Sequence, residues 1–390
     1  MRIFSPALKT EAAAPETDVE PENPGWFEAW GVRAIARLQK KSSGVAATTD
    51  EELTARVQKI TWQHAFFAFL IGAISAAGTV ITEEMYAVEP AVWLYTRVAV
   101  VTGILTAIEF IVLFYLSLRT VHCISVATGH ARFLFEKEDP VVALPNMLAR
   151  AALEIPDPVR RALGIDPLAR VSRWKLLLLG LLYKAKIMAS NVLAKLLLRR
   201  LFGKSLFRVV SVAYIAVPIT GLWNAFVIWK VARDARLRLA GHLLVQSIGK
   251  EILTAEDLGR LSERARMACL RAVGNSVVLT QNSHPNMLVL LLKMFEILER
   301  KKPDRLDDWD FFLSELASLP DDERYFVLDL LCVATAFDGR MSRLERRLLP
   351  QAFGDHTNLY FARIDRLRKL LIQGKVRAAL QECRLDFRPA

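Results

Sequence analysis

"TWQHAFFAFLIGAISAAGTVIT", residues 61–82, carries no formal charge anywhere along its length, and this decides what kind of protein is being read. A helix that crosses a bilayer needs about 20 consecutive, mostly apolar residues. The run has that length, so the sequence predicts a transmembrane helix. Gly72 and Ala76 stand four apart, a small-x-x-x-small pair that allows another helix to approach closely.

The expected partner follows directly. Residues 91–118, "AVWLYTRVAVVTGILTAIEFIVLFYLSL", are long and apolar enough for a second span. Arg97 lies near the start of this segment, where its charged end can snorkel to the headgroups. Glu109 lies deeper, and an intramembrane carboxylate is either a functional site or a hydrogen-bonded tie between helices. In an antiparallel hairpin it falls level with His64, which is the expected partner.

The loop between the two segments, "EEMYAVEP", holds Glu83, Glu84 and Glu89 and no basic residue, whereas Lys59, Arg119, Arg132 and Lys137 flank the other ends. Cytoplasmic loops carry the excess of Lys and Arg. Both ends of the hairpin are therefore expected in the cytosol, with the protein in the cytoplasmic membrane.

Composition agrees with membrane helices joined to water-soluble ones. The chain has 390 residues, of which 53% are hydrophobic and 24% charged. The formal charge is +11 and points to anionic surfaces. No aromatic stacking platform or nucleic-acid motif accompanies the basic residues, so anionic lipid headgroups are the expected partner and nucleic acid is not. Four dispersed cysteines form no C-x-x-C pair, which fits a reducing compartment.

Residues 1–24 are poor in large apolar side chains and read as a disordered tail, without the apolar core of a cleaved secretory signal. Residues 25–60 follow as amphipathic helices. Trp26, Trp30, Ala34 and Leu38 recur there at helical spacing, suited either to the membrane surface or to packing on the main body.

Residues 119–240 read as a basic, membrane-associated helical region. Its leucine-rich stretch 174–208 carries Lys184, Lys186, Lys195, Arg199, Arg200, Lys204 and Arg208, all candidates for lipid headgroups. Each lysine near the middle of such a stretch costs about 2.5–3.5 kcal/mol at a membrane centre. Residues 209–229 are uncharged and long enough to span. A hairpin of these two segments would put Arg199, Arg200, Lys204 and Arg208 outside, against the charge rule. The favoured expectation is packing in the cytosol or against the bilayer, and the alternative is a four-span protein.

Within this region Pro218, Gly221, Asn224, Ala232 and Ala235 resemble the signature of the EcsC-like bacterial family. Pro218 is expected to kink or end a helix, and Gly221 to give room at the bend.

Residues 241–390 read as a series of soluble helices. One is expected to start near Thr254 and Asp257 and stop at Gly274 and Asn275. Others are bounded by Pro303 and Pro320, and the last two run about 357–373 and 375–384. No alternating strand pattern occurs, so the fold class is all-α.

No metal-binding histidine pair, phosphate-binding glycine loop or nucleophile elbow is present, and no enzymatic activity is expected. The best candidate site is "AFDGRMSRLERRLL", residues 336–349. Gly339 can end one helix by adopting positive φ, while Ser342 and Glu345 form a capping box for the next.

Ala334, Ala336, Asp338, Gly339, Ser342 and Glu345 also resemble the core motif of TerB-like domains, small all-helical modules found in tellurite-resistance proteins. That resemblance implies a TerB-like fold over about 245–385, and Asp338, Glu345 and Asp329 as candidate ligands of a divalent metal. Against a metal, few acidic groups are available and Arg340, Arg343, Arg346 and Arg347 crowd the bend.

The resulting expectation is a non-enzymatic bacterial membrane protein. It would present a helical interaction module to a protein partner, and the TerB-like resemblance implies a role in envelope or metal stress. The competing expectation is a small-solute or ion transporter or channel with four spans that uses Glu109.

Overall fold

The computed structural model describes residues 26–40, 49–129, 144–153, 165, 211–253, 255–281, 284–298, 306–383 and 385. The expected tail and the basic residues Lys184, Lys186, Lys195, Arg199, Arg200, Lys204 and Arg208 lie outside them. The described elements are helical, with no strand.

Helices α1 (Trp26–Lys40), α2 (Asp50–Met85), α3 (Ala91–Ala127), α4 (Leu144–Ala152) and α5 (Ser211–Ser247) come first, and a π turn at Ile248–Ile252 follows α5. Then come α6 (Ala255–Arg260), α7 (Glu263–Thr280), α8 (Pro285–Ile297), α9 (Trp309–Ala317), α10 (Asp321–Ala336), α11 (Arg343–Phe353), α12 (Thr357–Gln373) and α13 (Val376–Glu382). Helices α2, α3 and α5 run unbroken across positions 60, 118 and 240.

Helix α2 starts where Thr49 accepts a hydrogen bond from the Glu52 amide, and three acidic residues follow in its first turn. It packs antiparallel to α3: Thr79 and Thr102 approach near the connecting loop, and His64 meets Thr120 at the opposite end. Arg97 lies beside this loop, 3.0 Å from Glu89 and with its guanidinium 4.6 Å from the Tyr86 ring centre.

The helix seated on Gly72 is α5, not α3 as the sequence suggested. A Cβ on Gly72 would lie 2.8 Å from the Thr220 carbonyl oxygen, and one on Gly221 would lie 2.8 Å from the Phe69 carbonyl oxygen. The missing side chains permit this contact. Further along, Ala65 and Ala68 pack with Ile228, and Leu53 and Val57 share a core with Val231, Ala232 and Ala235. The α2–α5 pair is therefore antiparallel too. Pro218 does not end α5, which continues through it.

The second half of α5 enters a different core. Leu237, Ala240, Leu244 and Val245 belong to a core that also takes in Trp309, Phe312, Phe326, Phe337, Phe353 and Tyr360, and α5 packs there on α8, α12 and α13. One helix thus belongs to both the apolar bundle and the C-terminal helical domain. At the foot of the bundle, Ile35 of α1 packs with Leu148, Ala149 and Ala152 of α4 and with Leu118. This is the packed alternative for the N-terminal helix.

A helix does start where expected, since α6 begins at Ala255, but it is short and the expected stop is not where the next helix ends. Helix α7 is capped by Ser262, whose hydroxyl accepts from the Ala265 amide. It does not stop at Gly274 and Asn275, which are both buried within it. Gly274 is the point where the backbone of Leu306 comes close, and the Asn275 amide donates to the Leu306 carbonyl at 3.3 Å. A glycine that reads as a stop in isolation is here a packing contact.

Candidate functional site

The Asp338 bend is assembled by local rules first. Helix α10 ends at Ala336, the Gly339 amide donates to the Ala336 carbonyl, and Gly339 takes φ +70°. Asp338 Oδ1 accepts from the Arg340 amide at 2.9 Å, so this side chain closes its own turn. Ser342 Oγ accepts from the Glu345 amide at 2.9 Å while the Glu345 carboxylate accepts from the Ser342 amide, completing the capping box. Ser342 also donates to the Leu279 carbonyl at 2.8 Å, tying the bend to α7.

Tertiary packing then adds an arginine from α12. Arg368 Nη2 lies 3.4 Å from Glu345 Oε1 and 3.8 Å from Asp338 Oδ1, and donates to the Thr335 carbonyl at 2.8 Å. All three charged residues are buried, Glu345 completely. Burial pushes the Glu345 carboxyl up to about 7, with the Asp338 charge adding to the rise and Arg368 opposing it. Burial likewise raises Asp338 to about 6, against the Arg340 amide and Arg368. Two carboxylates around one guanidinium therefore titrate near neutral pH.

The third expected ligand lies elsewhere. Asp329 pairs with Arg363, which also donates to the Glu382 carbonyl at 3.1 Å. The structure thus joins Asp338 to Glu345 and gives Asp329 a different arginine. Arg368 faces both carboxylates of the bend, where a cation would have to sit. Among the described residues no group of three or more His, Cys, Asp or Glu converges as a metal site.

Arg368 is the residue the motif reading missed. The signal lies in the spacing of α12: Tyr360, Ile364, Leu367 and Leu371 form its buried face, and Arg368 falls four residues after Ile364.

The bend also touches α5. A Cβ on Gly339 would lie 2.8 Å from Leu237 Cδ2. Asn286 of α8 donates to the Leu237 carbonyl at 3.0 Å, fixing the same turn of α5 from the other side.

The second candidate is inside the apolar bundle. Glu109 is 1% exposed, and its Oε1 accepts from Asn224 Nδ2 of α5 at 2.7 Å. The expected Glu109–His64 contact is not formed: His64 Nδ1 lies 2.7 Å from the Thr120 hydroxyl instead. Hairpin geometry alone could not foresee this, because the partner of Glu109 comes from a third helix 115 residues away. The carboxylate, the amide and the Gly72 crossing form one close junction of α2, α3 and α5.

Comparison with protein-family models, with curated proteins and with solved structures finds no match.

Proposed function

We propose that this chain is an integral protein of the cytoplasmic membrane, anchored by the α2–α3 hairpin, which holds a helical domain in the cytosol to bind a protein partner. The observation that carries this reading is the exposure of the two apolar helices. Of the most apolar window of α3 only 6% is buried inside the protein, and of that of α2 33%. A core helix of a soluble protein would be covered. Here Phe66, Phe67, Ile74, Ile104, Ile108 and Ile111 face outward, and lipid chains are the solvent that suits them.

Charge supports the orientation. The loop end carries Glu83, Glu84 and Glu89, and the other end carries Lys59, Arg119, Lys230 and Arg233. Both termini then lie in the cytosol, and the basic end meets anionic headgroups.

In this reading the domain acts by binding rather than by chemistry, with Asp338 and Glu345 facing Arg368 and Asp329 paired with Arg363. The TerB-like resemblance of the Asp338 motif suggests a role in envelope or metal stress. Affinity capture with the full chain in detergent, with and without a divalent cation, tests the module. A cytosolic protein recovered specifically is the expected result, and no specific partner under either condition would count against it.

A transport reading draws on the Glu109–Asn224 pair. Proteoliposomes containing the full chain and its Glu109→Gln variant would test it by proton or cation flux. Flux that depends on Glu109 would favour transport over anchoring.

A further inference from the structure

We infer that the first half of α5 is a further membrane-spanning helix, so that its N-terminal end at Ser211 lies on the outer side of the bilayer. This rests on the membrane reading above and goes beyond the hairpin. The argument is one of register. Helices α2 and α5 are antiparallel, with Gly72 against Thr220 and Asn224, Ala65 and Ala68 against Ile228, and Val57 in a core with Val231 and Ala232.

Two helices with the same rise per residue stay level. From the crossing near residue 222, the eleven residues back to Ser211 match the eleven from Gly72 to about residue 83, some 16 Å toward the hairpin loop. Ser211 therefore lies level with the last turn of α2, which ends at Met85. If α2 crosses the bilayer, the matching half of α5 crosses with it.

The occupant of the outward face of α5 is lipid. Leu222, Trp223, Phe226 and Trp229 are exposed there, and this face continues the exposed apolar surface of α2 and α3. Trp229 and Trp62 lie near one level by the same register, close to Lys59 and Arg233, where an inner aromatic belt belongs. The Arg233 guanidinium lies 6.0 Å from the Trp229 ring centre. The buried pairing of Asn224 with Glu109 has the same explanation, since polar groups at this depth find partners on neighbouring helices.

A topological consequence follows. Ile165 is buried in the core that the second half of α5 shares with the C-terminal helices. Ile165 and Ser211 then lie on opposite sides of the bilayer. This reverses the preference for two spans. It also opposes the charge bias of Arg199, Arg200, Lys204 and Arg208, which precede Ser211 in sequence. Register outweighs that bias because it rests on three separate packing contacts.

The test is labelling of introduced cysteines with a membrane-impermeant maleimide in intact cells, the native Cys269, Cys332 and Cys383 being buried. Ser211→Cys, Val88→Cys and Asp321→Cys are introduced into the full chain, with Cys123→Ser as background. The inference predicts that positions 88 and 211 label from outside within about twofold of each other, and that 321 labels only after permeabilisation. Labelling at 88 without labelling at 211 overturns the third span and leaves the hairpin standing. No labelling at 88 removes the membrane reading and this inference together.

Discussion

Arg368 changes the meaning of the Asp338 bend. The turn residues could be recognised from sequence because capping depends on neighbours: Gly339 for positive φ, Ser342 and Glu345 for the box. That Arg368 lies on a buried face could be read from the spacing of α12, but its approach to the bend could not, because that depends on how α12 packs against α10 and α11. The pair of carboxylates sets a pH dependence with a definite sign. Both are raised in the fold, to about 6 and about 7, so the folded chain holds more protons than the unfolded one above the ordinary carboxylate range. Their contribution to stability is greatest in acid and declines as pH rises from about 4 to about 7. Glu345→Gln, which removes one titrating group and can still cap, should flatten thermal midpoint against pH between 5 and 8. An unchanged slope would contradict the assignment. Ser342→Ala should cost about 1 kcal/mol in urea unfolding, the usual loss for a helix cap.

Helix α5 is the element that organises the molecule. Its length was not readable, because Pro218 signals a break and because one half is apolar while the other alternates basic and small residues. Neighbours decide the matter: α2 covers the first half, and the core of the C-terminal domain takes Leu237, Ala240 and Leu244 from the second. The Gly72–Gly221 crossing can be tested by size. Gly72→Leu should destabilise the full chain by about 1–3 kcal/mol, the cost of forcing volume into a packed contact. Gly103→Leu should be tolerated, since a Cβ at Gly103 meets nothing within 4 Å. Thermal unfolding in detergent separates them, and equal effects would argue against a close α2–α5 contact. Asn224→Ala should cost about 0.5–2 kcal/mol by the same measurement, the range for a hydrogen bond between membrane helices.

At the scale of the whole molecule, an apolar bundle and a helical domain share one continuous helix, and the bend at Asp338 rests on it through Gly339 and Leu237. The two long apolar helices could be read from uncharged run lengths, which depend only on composition. How the parts join could not, since a single chain of residues does not reveal which face of α2 receives α5. The central claim, that this bundle is embedded in a bilayer, is tested most directly by alkaline carbonate extraction of membranes from cells producing the full chain. The account predicts that the protein stays in the membrane pellet and dissolves only in detergent. Release of the intact chain into the alkaline supernatant would contradict it.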